Sequence, residues 1–94
     1  MFMFTMNGRV QHWEHGERRG MVLSQTRDDA RAVANWFQKN GKGKVSIAEV
    51  GTIDGETLED QLEASREYGA NCAFVCRVVN GEIEATILNP SPAA

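Results

Sequence analysis

Apolar residues recur along this chain with two spacings, and the switch between them marks its elements. Residues 2–6 form an apolar run, Asn7-Gly8 is a two-residue hairpin signal, and residues 9–13 alternate with period two, so an N-terminal hairpin is expected. A polar, glycine-bounded loop over 15–20 separates it from a short strand over 21–25. Ala30, Val33, Ala34 and Phe37 then fall at i, i+3, i+4 and i+7, which predicts a helix over 27–39. Thr26 suits its N-cap, Asp28 and Asp29 favour the positive end of the macrodipole, and Asn40-Gly41 stops it.

Period two returns over 44–50, where Val45 and Ile47 oppose Ser46 and Ala48. The turn Gly51-Thr52-Ile53-Asp54-Gly55 leads to a second helix over 56–68, with Leu58, Leu62 and Ser65 on one stripe and Gly69 as its stop. Residues 71–79 are the longest apolar stretch, and Asn80-Gly81 joins them to a strand over 82–88 with a clean period of two. The proline-bearing segment 89–94 cannot extend a sheet and reads as a flexible tail.

This order predicts an α/β fold of the two-layer, α+β-like kind: an N-terminal β-hairpin, then β-α-β-α-β-β, one mixed sheet and two helices on one face. The strands over 21–25, 44–50 and 71–79 are expected to be mutually parallel. One core is expected, built from Met21, Leu23, Ala30, Val33, Phe37, Val45, Ile47, Leu58, Leu62, Phe74, Cys76, Ile83 and Ile87. Ninety-four residues hold one domain, folded over 1–88. The strand over 71–79 is apolar on both sides, with Cys72, Phe74, Cys76 and Val78 on one and Ala73, Val75 and Val79 on the other. Something must cover its second face, either the N-terminal hairpin with Phe2, Phe4 and Trp13 or another protomer. Those three residues with Ala73, Val75 and Val79 are the candidate interface of a homodimer.

Composition fits this picture: 41% hydrophobic and 24% charged residues are those of a folded globular chain. A mean hydropathy of -0.41 and the lack of a long apolar run argue against a membrane span, and the first residues lack the basic region and cleavage site of a signal peptide. A cytoplasmic location is the resulting expectation. Cys72 and Cys76 are the only cysteines; four residues along a strand span about 13 Å, too far for one disulfide or one metal ion, so both read as core thiols.

The net charge of -3 hides an asymmetry: residues 1–48 carry net +4 and residues 49–94 net -7. No strongly basic surface follows, which argues against duplex DNA as partner. Trp13 with Arg18 and Arg19 is nonetheless the place where a nucleic-acid-binding module would make its contacts. The carboxyl ends of parallel strands, where open α/β sheets bind ligands, make Ser24, Gln25, Thr26, Arg27, Glu49, Thr52 and Asp54 the candidate lining of a small-ligand pocket. His12 and His15, three apart on a strand, point to opposite faces and do not form a metal pair. No nucleophile beside a base, no paired catalytic carboxylates and no phosphate-binding glycine motif is legible, and no cofactor or metal is called for. The leading expectation is a small non-enzymatic interaction protein, a homodimer that occupies a protein partner.

Overall fold

The computed structural model describes residues 1–41, 43–50 and 58–88, the side chains at 15, 58 and 59 excepted. The turn over 51–55 and the tail over 89–94 lie outside the described residues, as does Leu58 as a core side chain. The described residues build one mixed sheet of seven strands with two helices. The strands are β1 (Phe2–Met6), β2 (Arg9–Val10), β3 (His12–His15), β4 (Arg18–Ser24), β5 (Ser46–Glu49), β6 (Cys72–Val79) and β7 (Glu82–Leu88). The helices are α1 (Arg27–Lys39) and α2 (Leu58–Arg66). No helix among the described residues is long and apolar enough to cross a membrane.

The N-terminal hairpin forms, and it lies within the sheet instead of over its face. β1 pairs antiparallel with β4 through Phe2↔Ser24 and Met3↔Leu23, and with β5 through Phe2↔Glu49 to Thr5↔Ser46. Met3 and Phe4 are buried on opposite faces, as the two-sided apolar run of a central strand requires. Beyond Met3 the strands β1 and β4 part, and the returning chain fills the gap between them. There β2 pairs with β1, β3 pairs with β4, and Gln11 stands at the fork: its N–H donates to the Phe4 carbonyl at 2.8 Å and its carbonyl accepts from the Val22 N–H at 3.2 Å. The polar loop expected over 15–20 shrinks to Gly16-Glu17, because Arg18 and Arg19 pair with His15 and Glu14 and extend β4.

β4 and β6 are parallel neighbours, from Gly20↔Cys72 to Leu23↔Val75. β5 runs in the same direction, yet it stands beyond β1 and pairs with neither. This placement corrects the expected position of the helices. The chain steps from β4 one way across the sheet to β5, then back past β4 to β6, and right-handed crossovers in opposite directions place their helices on opposite faces. α1 accordingly packs Ala30, Val33, Ala34 and Phe37 against Phe4, Val22, Val45, Phe74 and Cys76. α2 packs Leu62 on the other face, against Met3, Met21, Leu23 and Ala73. The single expected core is therefore two clusters, with Met21, Leu23 and Leu62 in the second, while Ile87 is exposed. The double-sided apolarity of β6 is met within the chain in part: α1 covers one face, and on the other Ala73 joins the cluster that holds Leu62 of α2.

Local signals set the helix ends. Thr26 Oγ1 accepts the Asp29 N–H at 3.1 Å as N-cap of α1, and the Asn40 side chain donates to the Trp36 carbonyl at 2.8 Å at its other end. α2 stops at Arg66, two residues before the expected end. A short turn follows to Gly69, and the Ala70 N–H closes it on the Ser65 carbonyl.

Candidate interaction surface

β6 and β7 form the most regular unit of the sheet, paired without interruption from Ala73↔Leu88 to Val79↔Glu82. Asn80 (φ 53°) and Gly81 (φ 81°) both adopt left-handed backbone, the type I′ geometry whose twist matches the flanking strands. Among the described residues β7 pairs only with β6, so its other side is a sheet edge. Register places Ile83, Ala85 and Ile87 on the α1 face and Glu82, Glu84, Thr86 and Leu88 on the α2 face. Ile87 is 42% exposed and Val79 37%. Arg77 donates through Nε and Nη2 to Glu84 Oε1, at 2.9 and 2.6 Å, and neutralises that carboxylate.

The residues expected to form an interface do not converge. Phe4 and Ala73 are wholly buried within the chain, on opposite faces. Trp13 is half-buried with its ring edge-on to Phe74 at 5.1 Å, and Phe2 is half-buried beneath the Arg27 guanidinium, 5.1 Å from its ring centroid. Val75 is half-buried, and only Val79 is exposed. Of Trp13, Arg18 and Arg19, register keeps Trp13 and Arg18 on one face and turns Arg19 away from them. Arg19 turns to the α2 face, where it donates to Glu14 at 2.8 Å and to the Tyr68 carbonyl at 3.0 Å, while Trp13 lies on the α1 face. The period-two sequence 82–88 marks a strand but not an edge, because which strand stands outermost depends on the order of the whole sheet.

The expected ligand residues gather at the carboxyl ends of β4 and β5, but β1 begins between them. Phe2 faces Ser24 on one side and Glu49 on the other, and the Met1 carbonyl accepts the Val50 N–H at 2.9 Å. Ser24 is buried and donates its hydroxyl to the Cys76 carbonyl at 2.8 Å, Thr26 caps α1, and Arg27 covers Phe2. Gln25, alone among the described residues of this set, lines a depression of about 310 Å³, with Met1, Asp29, Arg77 and Thr86, where β4 ends and the β6–β7 hairpin continues. Thr52 and Asp54 lie outside the described residues.

Among the described residues three side chains carry shifted titration. Burial pushes the Cys76 thiol up to about 12 and raises Cys72 as well, so neither thiol is an ionised nucleophile near neutral pH. His12 moves the other way: burial lowers its pKa from 6.5, the nearby Arg19 charge adds to this, and the Val10 carbonyl partly opposes it. Nδ1 lies 3.1 Å from that carbonyl and must donate to it, which leaves Nε2 a buried acceptor with no partner among the described residues. A depressed folded-state pKa stabilises the fold above the unfolded value and loses that contribution as pH falls through the folded value. Urea unfolding at about pH 7.5 and about pH 5.5 should therefore show a smaller acid-induced loss of stability in His12→Leu than in the wild type. Equal losses in the two proteins would show that His12 is not responsible.

Comparison of the chain with protein-family models, with curated proteins and with solved structures finds no match.

Proposed function

We propose that this chain is a small non-enzymatic interaction domain that works as a homodimer and acts by occupying a protein partner. The observation that carries this reading is the free edge of β7 with Ile87 exposed on it. Edge strands offer a row of backbone donors and acceptors to any strand that approaches, and natural sheets commonly protect them with lysine, proline or a bulge. β7 contains no lysine or proline, and its pairing with β6 is unbroken. The described charges also suit a surface role: Glu14–Arg19, Glu63–Arg66 and Glu84–Arg77 are ion pairs at exposed positions. A basic protein surface is the matching chemistry for the net charge of -7 over residues 49–94. Two buried free thiols suit the reducing cytoplasm. Light scattering at micromolar concentration should give twice 10.4 kDa. A chain that stays monomeric at about 100 micromolar is not a homodimer of this kind.

One observation favours a second reading, a binder of single-stranded nucleic acid. Arg9, His12, Arg19 and Tyr68 line one depression of about 560 Å³, and Tyr68 is 68% exposed, so cationic groups and an aromatic ring share one recess. Anisotropy of a labelled oligonucleotide that rises with wild-type protein and not with Tyr68→Ala would favour it.

A further inference from the structure

The edge of β7 is complementary to itself in one register. In a two-residue hairpin the Glu82 N–H turns back to the Val79 carbonyl, so Val79↔Glu82 is a hydrogen-bonded pair. Bonded and non-bonded pairs alternate along an antiparallel ladder, which makes Arg77↔Glu84, Val75↔Thr86 and Ala73↔Leu88 bonded as well. The residues between them, Ile83, Ala85 and Ile87, therefore turn their N–H and C=O groups to the free edge.

These same residues place their side chains on the α1 face, where Ile83 and Ala85 pack against the core and Ile87 remains exposed. Ala85 is also the midpoint of β7. A second copy laid antiparallel about a twofold axis at Ala85 overlaps the whole strand. It sets Ala85 against Ala85, Ile83 against Ile87 and Ile87 against Ile83, each pair exchanging both of its hydrogen bonds. On the other face Glu84 meets Thr86 and Glu82 meets Leu88, so no carboxylate faces another. Moving the axis to Glu84 would set two glutamates directly opposite, and moving it to Ile83 would set Glu82 against Glu84. An axis at Ile87 would carry most of the pairing beyond the strand.

Resting on the homodimer reading above, we infer that the partner at this edge is a second copy of the same chain, joined through β7 with its twofold axis at Ala85. The two sheets become one continuous sheet, the isologous contact a twofold requires, and the Ile83 and Ile87 side chains of both copies form one apolar stripe beside the α1 helices.

Two substitutions and one exchange measurement test this. Ala85→Pro removes an N–H that faces the edge and no bond to β6, a position sheets accept on edge strands. Ile87→Lys places a charge on the exposed stripe without entering the core. Both variants should keep the wild-type circular dichroism and weaken the dimer on the order of 100-fold. In the wild type, amide exchange at Ile83, Ala85 and Ile87 should slow as protein concentration rises, whereas the amides of Glu84 and Thr86 are already held by β6. A dimer unaffected by either variant, with edge amides indifferent to concentration, overturns the β7 assignment and leaves self-association through another surface. A wild-type monomer at about 100 micromolar overturns both this inference and the homodimer reading.

Discussion

Replacing Phe4 by alanine should cost about 3 to 5 kcal/mol and leave much of the chain unfolded at room temperature. The side chain is wholly buried and meets Phe37 edge-on at 6.5 Å, so it joins β1 to α1. Its backbone faces Ile47 of β5 on one side and accepts the Gln11 N–H at the fork on the other. A cavity here loosens the strand that separates β4 from β5. Domains retain only about 5 to 15 kcal/mol of net stability, and a chain this short stands toward the low end. Urea titration followed by circular dichroism is the measurement, with Phe4→Leu as a milder companion that keeps most of the apolar volume. A loss below about 1 kcal/mol for Phe4→Ala would mean that the core closes over the gap.

Local order was legible where one physical signal acted alone. The i, i+3, i+4, i+7 stripe, the Thr26 cap and the Asn40-Gly41 stop gave α1 its ends, and Asn80-Gly81 fixed the register of the β6–β7 hairpin. Sheet order was not legible, because it depends on which strand enters the space beside β4. The run 2–6 contained a clue. Met3 and Phe4 are apolar on successive, opposite faces, a pattern that suits a strand buried on both sides better than a hairpin laid over a sheet. With β1 between β4 and β5, the crossover to β6 must reverse direction, and the second helix changes face.

The same step governs the candidate site. Ser24 and Glu49 end β4 and β5 and Arg27 begins α1, but the crevice expected among them holds Met1 and Phe2. The apolar second side of β6 was equally plain in the sequence, and at Ala73 it joins the cluster that holds Leu62 of α2. That leaves the outer hairpin strand as the exposed one. No single residue of β7 signals this; its edge position follows only from the completed strand order.

Gly20→Ala should cost about 3 kcal/mol or more, although it adds a single methyl group. A Cβ at Gly20 would sit 2.7 Å from the Cys72 carbonyl oxygen, 2.9 Å from its carbon and 3.0 Å from its sulfur. Two of these atoms are backbone, so relief requires β4 and β6 to separate at Gly20↔Cys72, where their parallel pairing begins. A second effect adds to this. Trp13 stands opposite Gly20 on β3, yet its ring reaches Phe74 on β6, two strands away and about 9.6 Å across the sheet. The ring must pass over β4, and a side chain at 20 would lift it. Gly16→Ala is the control: a Cβ there meets nothing within 4 Å, so only its φ of 64° opposes the change, at about 1 kcal/mol. Urea unfolding followed by tryptophan fluorescence should show a large loss and a native-state shift for Gly20→Ala, and a small loss with unchanged emission for Gly16→Ala. Similar costs for the two would indicate that the contact with Cys72 relaxes freely, and that the passage of Trp13 over β4 does not depend on glycine.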